Sequence, residues 1–210
     1  MKAENTEVKS AAAQSEKERR RFGLVYSIIV PLLKFFIPVR CKGKENLPKG
    51  PAVFCANHTH LLDPVIAAAA FGRRFIHFVA KLELRSVPVI GKVLEACGVC
   101  FVNRGTADIG AMRSMMRYLK RGEQVFIFPE GTRTSSDGSV DAKTGAVRIA
   151  SKLKAPIVPV YIPREKRVFR GLEVVVGEPY MVEGHNHEEY EALADGVMER
   201  IMELREGESA

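Results

Sequence analysis

Short, largely apolar runs recur along this chain, and longer segments with apolar residues at helical spacing separate them. Ala52–Ala56 (A-V-F-C-A), Phe75–Ala80, Val99–Val102, Gln124–Phe128, Ile157–Ile162 and Leu172–Val176 are too short for amphipathic helices. They read as strands buried on both faces, the usual condition of parallel sheets. Val39–Gly43 reads as a further short strand. Strand–helix alternation of this kind predicts an α/β class: a mixed, mostly parallel sheet flanked by helices. A length of 210 residues suits one domain with a single core.

Local signals mark the helices. Asp63-Pro64 reads as an N-cap with proline at the first helical position, opening a helix to about Phe71. Val87–Cys97 is predicted helical, ended by Gly98, and Asp108 opens a helix that stops before Gly122. On that second helix Ile109, Met112, Met115, Met116 and Leu119 form the expected core side. Thr144–Lys154 and an acidic amphipathic segment, His187–Arg205, complete the set. Four cysteines exclude a disulfide scaffold, and a lone Cys97-x-x-Cys100 without a second pair reads as buried structural thiols.

Charge is unevenly placed. Residues 183–210 hold nine acids against Arg200 and Arg205, a net of −7. The overall charge is +7, so residues 1–182 carry +14 and should be drawn to an anionic surface or substrate. Residues 1–21 are polar, end in Glu18-Arg19-Arg20-Arg21, and read as a flexible leader or frayed helix. Residues 22–38 are apolar except for a narrow stripe of Gly23, Ser27, Pro31 and Lys34, with Arg40, Lys42 and Lys44 beyond. A helix over this stretch, about 27 Å long, falls short of a ~30 Å hydrocarbon core. It can pack as core or span, but its length, its proline and its basic flanks favour a helix, or kinked helix pair, lying in the membrane interface. That places the chain at the cytoplasmic face of the cell membrane as a peripheral or monotopic protein, its basic body against an anionic leaflet. Residues 39–182 would form the catalytic domain, and residues 183–210 an acidic helix and tail.

Three segments carry groups suited to chemistry. Asn57-His58-Thr59-His60-Leu61-Leu62-Asp63 follows a predicted strand and precedes a helix, where α/β sheets present functional groups. His58 and Asp63 would not meet on one continuous helix, but a turn folds the carboxylate back onto the imidazole. An acid on one ring nitrogen fixes the tautomer and makes the other nitrogen a better base. The two H-x-H pairs, His58/His60 and His185/His187, invite a metal reading, but the register needed for a binuclear hydrolase fails at Leu62 and Asp63. No metal is therefore expected. Phe126–Arg133 (F-I-F-P-E-G-T-R) and Gly98–Arg104 (G-V-C-F-V-N-R) each deliver an arginine to a loop after a strand, suited to holding an anion beside a base.

These blocks together resemble the 1-acylglycerol-3-phosphate acyltransferases of the glycerolipid acyltransferase superfamily. The N-H-x-x-x-x-D block is Asn57, His58 and Asp63, and G-x-x-F-[IV]-x-R is Gly98, Phe101, Val102 and Arg104. F-P-E-G-T-R is complete at Phe128–Arg133, and V-P-V is Val158, Pro159 and Val160. K-x-E-L is matched by Lys81, Glu83 and Leu84. His60 departs from the family, which often has serine there, and reads as a bystander near the site. The resemblance implies a single-domain acyltransferase fold and transfer of a fatty acyl group from a thioester, acyl-CoA or acyl carrier protein, to the sn-2 hydroxyl of lysophosphatidic acid. Glycerol-3-phosphate or another lysolipid is the alternative acceptor. It implies His58 as general base and Asp63 as its orienting acid. Lys81, Arg104, Glu130, Gly131, Thr132 and Arg133 would bind the acceptor. No cofactor, and no nucleic-acid partner, is expected. A metal-dependent hydrolase and a non-catalytic basic binding module are the rival classes.

Overall fold

A computed structural model describes residues 2–103, 108–129 and 142–206. Seven strands form one sheet: β1 (Val39–Lys42), β2 (Ala52–Ala56), β3 (His77–Lys81), β4 (Cys100–Val102), β5 (Gln124–Ile127), β6 (Ile157–Tyr161) and β7 (Leu172–Val176). Their order is β1-β7-β6-β2-β5-β3-β4, parallel throughout except for the β6–β7 pair. The helices are α1 (Lys2–Phe36), α2 (Asp63–Phe71), α3 (Ile90–Ala96), α4 (Ile109–Lys120), α5 (Ala142–Leu153) and α6 (His187–Glu206). The expected mixed α/β class is what the chain adopts.

Period-two alternation divides the sheet between two cores. Ala52, Phe54 and Ala56 of β2, with Phe126, Val158, Val160 and Val174, face α2 and the inner side of α1. Val53 and Cys55, with Val125, Ile127, Ile157 and Val175, face α4, α5 and α6. β2 lies between β5 and β6, and the chain leaves it in one direction to build β3 and β4, then returns to the other side for β6. The carboxyl end of β2 is thus a switch point, where such sheets open a crevice.

Several local expectations change. Residues 1–21, read as a flexible leader or a frayed helix, belong from Lys2 onward to one helix that runs unbroken through Pro31 to Phe36. Its polar half is held by a long-range contact: the Ser15 hydroxyl donates to Glu123. Pro31 lies on the exposed side, where the carbonyl its ring leaves without a partner can meet water. Asp63 does not cap α2; it is the first helical residue, and its carboxylate turns back into the preceding loop. Residues 82–86 form a 3₁₀ turn, and the helix expected from Val87 starts only at Ile90, after Val89 at φ 65. Asp108 does cap α4, accepting from the Ala111 N–H at 2.8 Å. Ala111, Met115 and Leu119 are buried on α4, but Ile109, expected with them, is exposed.

A charged cluster closes the amino-terminal ends of the central strands. His77 is fully buried and stacks on Tyr118 at 3.6 Å between centroids. Its Nδ1 faces the Gly98 carbonyl at 2.7 Å and its Nε2 faces Glu123 at 3.0 Å. Both ring nitrogens thus lie against oxygen atoms. Gly98 is at φ 72, and an added Cβ would lie 3.2 Å from the His77 ring, which explains a glycine there. Burial alone would push the Glu123 carboxyl up; bonds from His77, Ser15 and Arg121 outweigh it and hold it at about 2. A carboxyl lowered by folding stabilises the native state above its unfolded value, and that stability is lost as pH falls through the range down to about 2. Glu123→Ala should cost about 3–5 kcal/mol in urea unfolding at neutral pH. The difference from the parent should shrink as the medium is acidified below about pH 4.

Candidate active site

The site begins where β2 ends. Asn57 is buried, and its side chain copies a peptide: Nδ2 donates to the Ile162 carbonyl and Oδ1 accepts from the Ile162 N–H, both at 2.8 Å. This clamp ties the end of β2 to the end of β6 and fixes the exit direction of the next residue, His58. The chain then turns tightly, with the Asp63 N–H donating to the His60 carbonyl at 3.0 Å.

Asp63 organises this loop. Its Oδ2 accepts from the backbone N–H groups of Thr59 and His60, each at 2.7 Å, and lies 3.1 Å from His58 Nδ1. Its Oδ1 lies 2.8 Å from the ammonium of Lys166, on the connection between β6 and β7. The carboxylate side chain has no exposed surface, whereas the His58 side chain is 31% exposed. Burial alone would raise the Asp63 carboxyl. The His58 bond, the Lys166 ammonium and the His60 and Thr59 N–H groups overcome that and hold it at about 2. Asp63 is therefore an anion throughout the neutral range. An anion on Nδ1 fixes the tautomer that carries its proton there, so Nε2 is the basic nitrogen. The Phe128 ring, just beyond β5, lies 4.4 Å from the imidazole and walls one side.

The structure thus brings His58 and Asp63 together as the sequence predicts. His60 does not compete for the acid through its ring: its Nδ1 accepts from the Leu62 N–H at 3.2 Å, and its backbone N–H serves Asp63. Lys81 ends β3 beside Val102 and is exposed. Arg104, Glu130, Gly131, Thr132 and Arg133 lie outside the described residues. Val158 and Val160 of the V-P-V block are core side chains of β6. All four cysteines are free thiols, and burial pushes Cys97 and Cys100 up to about 11. Among the described residues no group of three or more His, Cys, Asp or Glu is placed to hold a metal ion. Sequence reasoning missed Lys166, which lies 107 positions from its other partner, Thr59, and falls in no motif.

A histidine held by a buried carboxylate lies at the switch point of this mostly parallel sheet. Comparison with known proteins supplies the family. Residues 38–163 match the family model described as Acyltransferase. The chain is 33% identical over 176 residues to the 1-acyl-sn-glycerol-3-phosphate acyltransferase of Bacillus subtilis (strain 168), covering 79% of this chain and 87% of that protein. This chain belongs to the 1-acyl-sn-glycerol-3-phosphate acyltransferase family. A chloroplastic member from Arabidopsis thaliana, LPAT1, is 35% identical over 130 residues, which span 60% of this chain but only 36% of that longer protein. In the crystal structure of the 1-acyl-sn-glycerophosphate (LPA) acyltransferase PlsC from Thermotoga maritima, the fold agrees with a TM-score of 0.64 at 26% identity. That match covers 91% of this chain and 80% of that one. Membership makes this chain an O-acyltransferase.

The Asn57 clamp has a measurable value. Asn57→Ala leaves a buried N–H and C=O of Ile162 without partners, and chemical denaturation should show a loss of about 2–4 kcal/mol.

Proposed function

We propose that the chain moves a fatty acyl group from a thioester donor, acyl-CoA or acyl carrier protein, to the sn-2 hydroxyl of 1-acylglycerol-3-phosphate, yielding phosphatidic acid. The observation that carries this reading is the contact of the half-buried His58 with an ionised, fully buried Asp63. The relatives' names supply the acceptor. A thioester already has a good leaving group, since a free thiol ionises near ~8.5. The difficulty is the alcohol, which must lose its proton as it attacks.

In this reading His58 Nε2 takes the hydroxyl proton while the oxygen adds to the thioester carbonyl. Asp63 steadies the imidazolium that forms. Collapse of the tetrahedral adduct breaks the C–S bond, leaves the new ester, and returns the proton to the departing thiolate. Arg104 and Arg133, with Lys81, are assigned to the acceptor phosphate, whose geometry suits a guanidinium fork. Glu130, Gly131 and Thr132 are assigned to positioning that arginine and the glycerol portion.

Docking on an anionic leaflet is part of the same proposal, because acceptor and product are membrane lipids. No helix among the described residues is long and apolar enough to cross a membrane. α1 instead carries two apolar faces. Phe22, Val30 and Ile37, just past its end, are buried against the body, while Leu24, Ile28, Leu32, Phe35 and Phe36 are exposed. Gly23 and Ser27 of its polar stripe meet Arg73, which donates to the Ser27 hydroxyl at 2.9 Å. Phe169, on the β6–β7 connection, joins Phe35 and Phe36 at 6.3 and 5.9 Å and is itself 68% exposed. Exposed Lys34, Arg167 and Arg170 border the patch in sequence, a basic rim suited to anionic headgroups.

Two measurements test the proposal. Thiol release from acyl-CoA should depend on added lysophosphatidic acid and fall by about 10³-fold in His58→Ala with the fold intact; a variant as active as the parent removes His58 as the base. In the same assay Arg133→Ala should raise the acceptor KM more than it lowers kcat. For docking, deletion of α1 is uninformative because it strips the core. The combined variant Ile28→Ser, Leu32→Ser and Phe169→Ser spares every buried residue. At ~1 kcal/mol for each side chain it should weaken co-flotation with phosphatidylglycerol vesicles about a hundredfold without changing thermal unfolding.

A further inference from the structure

We propose that Lys166 is a positioning residue of the acyl-transfer site, which fixes the Asp63 carboxylate and makes the His58 imidazole release its proton at lower pH. The proposal rests on the reading of His58 as general base. Lys166 is not in any of the motifs, and its side chain is only 5% exposed. A lysine ammonium is rarely buried without a partner of opposite charge. Here it lies 2.8 Å from Asp63 Oδ1 and donates to the Thr59 hydroxyl at 2.8 Å. Asp63 Oδ2 meets His58, Thr59 and His60, so the carboxylate is gripped on both oxygens. One contact comes from a second segment of the chain, between β6 and β7.

A carboxylate shared with a fixed cation holds an adjacent imidazolium less tightly than an unshared one does. The two positive charges are also brought close, and like charges disfavour each other's protonated state. A general base needs to be neutral when substrate arrives, so Lys166 enlarges the fraction of enzyme that can start the reaction near neutral pH. On the same connection, Glu165 pairs with Arg167 at 2.8 Å, both exposed, and Arg164 is exposed. On the β2–α2 loop the His60 ring is turned to Leu62, and the element end facing His58 from β5 contributes the uncharged Phe128 ring.

The test is titration of the His58 ring by NMR in the parent and in Lys166→Met, which keeps the aliphatic stem and removes the charge. The His58 midpoint should rise by about one pH unit in Lys166→Met and stay near the parent value in Lys166→Arg. The acid limb of kcat/KM should move up by the same amount, with rates converging toward the parent above pH 8.5. Should Lys166→Met fail to fold, Lys166→Gln makes the same charge change with a polar side chain. An unmoved or lowered His58 midpoint in the folded neutral variant overturns the proposal whatever the activity. A raised midpoint with an unmoved rate profile would instead support the role of Lys166 and count against His58 as the base.

Discussion

A carboxylate with no exposed surface has to be satisfied from within the protein, and that requirement at Asp63 shapes everything around it. Its two oxygens draw in two backbone N–H groups, one imidazole and one ammonium. The N–H contacts hold the β2–α2 loop in a tight turn. The imidazole contact sets the tautomer of the residue that meets solvent. The ammonium contact brings in a segment more than 100 positions away. Remove the charge from Asp63 and these four partners lose their common centre, which is why the acid is the structural keystone of this loop as well as the partner of His58.

The sheet makes this arrangement affordable. Asn57 uses its amide as an extra rung between β2 and β6, so the loop starts from a rigid edge. The reversal of strand order at β2 leaves open space at its carboxyl end, and Phe128, just beyond β5, closes one side with an apolar wall. α1 contributes differently. It is too long to be only a core helix and lacks the apolar length to be a span. One side covers the sheet; the other exposes aromatic and aliphatic side chains that water does not favour. The contact between the Phe169 N–H and the Phe36 carbonyl, 2.6 Å, ties that apolar patch to the same β6–β7 connection that carries Lys166.

Much of this was legible in the sequence, for reasons that differ by element. Buried parallel strands are uniformly apolar, so their limits could be read within a residue or two. The turn holding His58 near Asp63 was readable because five positions across a strand–helix junction leave few other geometries. Helix α1 was read too short, because a polar segment becomes helical here through Ser15 reaching Glu123, a contact between residues 108 positions apart that no local pattern encodes. Asp63-Pro64 looked like a cap because its composition fits one; the competing N–H groups of Thr59 and His60 took the carboxylate instead. Lys166 was unreadable for the same reason as Ser15: a lysine between Glu165 and Arg167 resembles solvated surface until the fold delivers it to a buried acid.

Two buried carboxylates among the described residues each face a histidine, and the two pairs differ in their access to solvent. At the amino ends of the strands His77 faces Glu123, and at the carboxyl ends His58 faces Asp63. In both pairs the acid is held ionised, at about 2. His77, however, has no exposed side-chain surface, and both of its nitrogens are spent on oxygen acceptors. The pair is sealed from solvent and serves to anchor α1 and the strand ends. The His58 side chain, by contrast, keeps nearly a third of its surface open. A proton taken up there can come from, and return to, something outside the protein. Charge pairing is common to both ends of the sheet; access to solvent is what sets apart the pair proposed as the base and its acid.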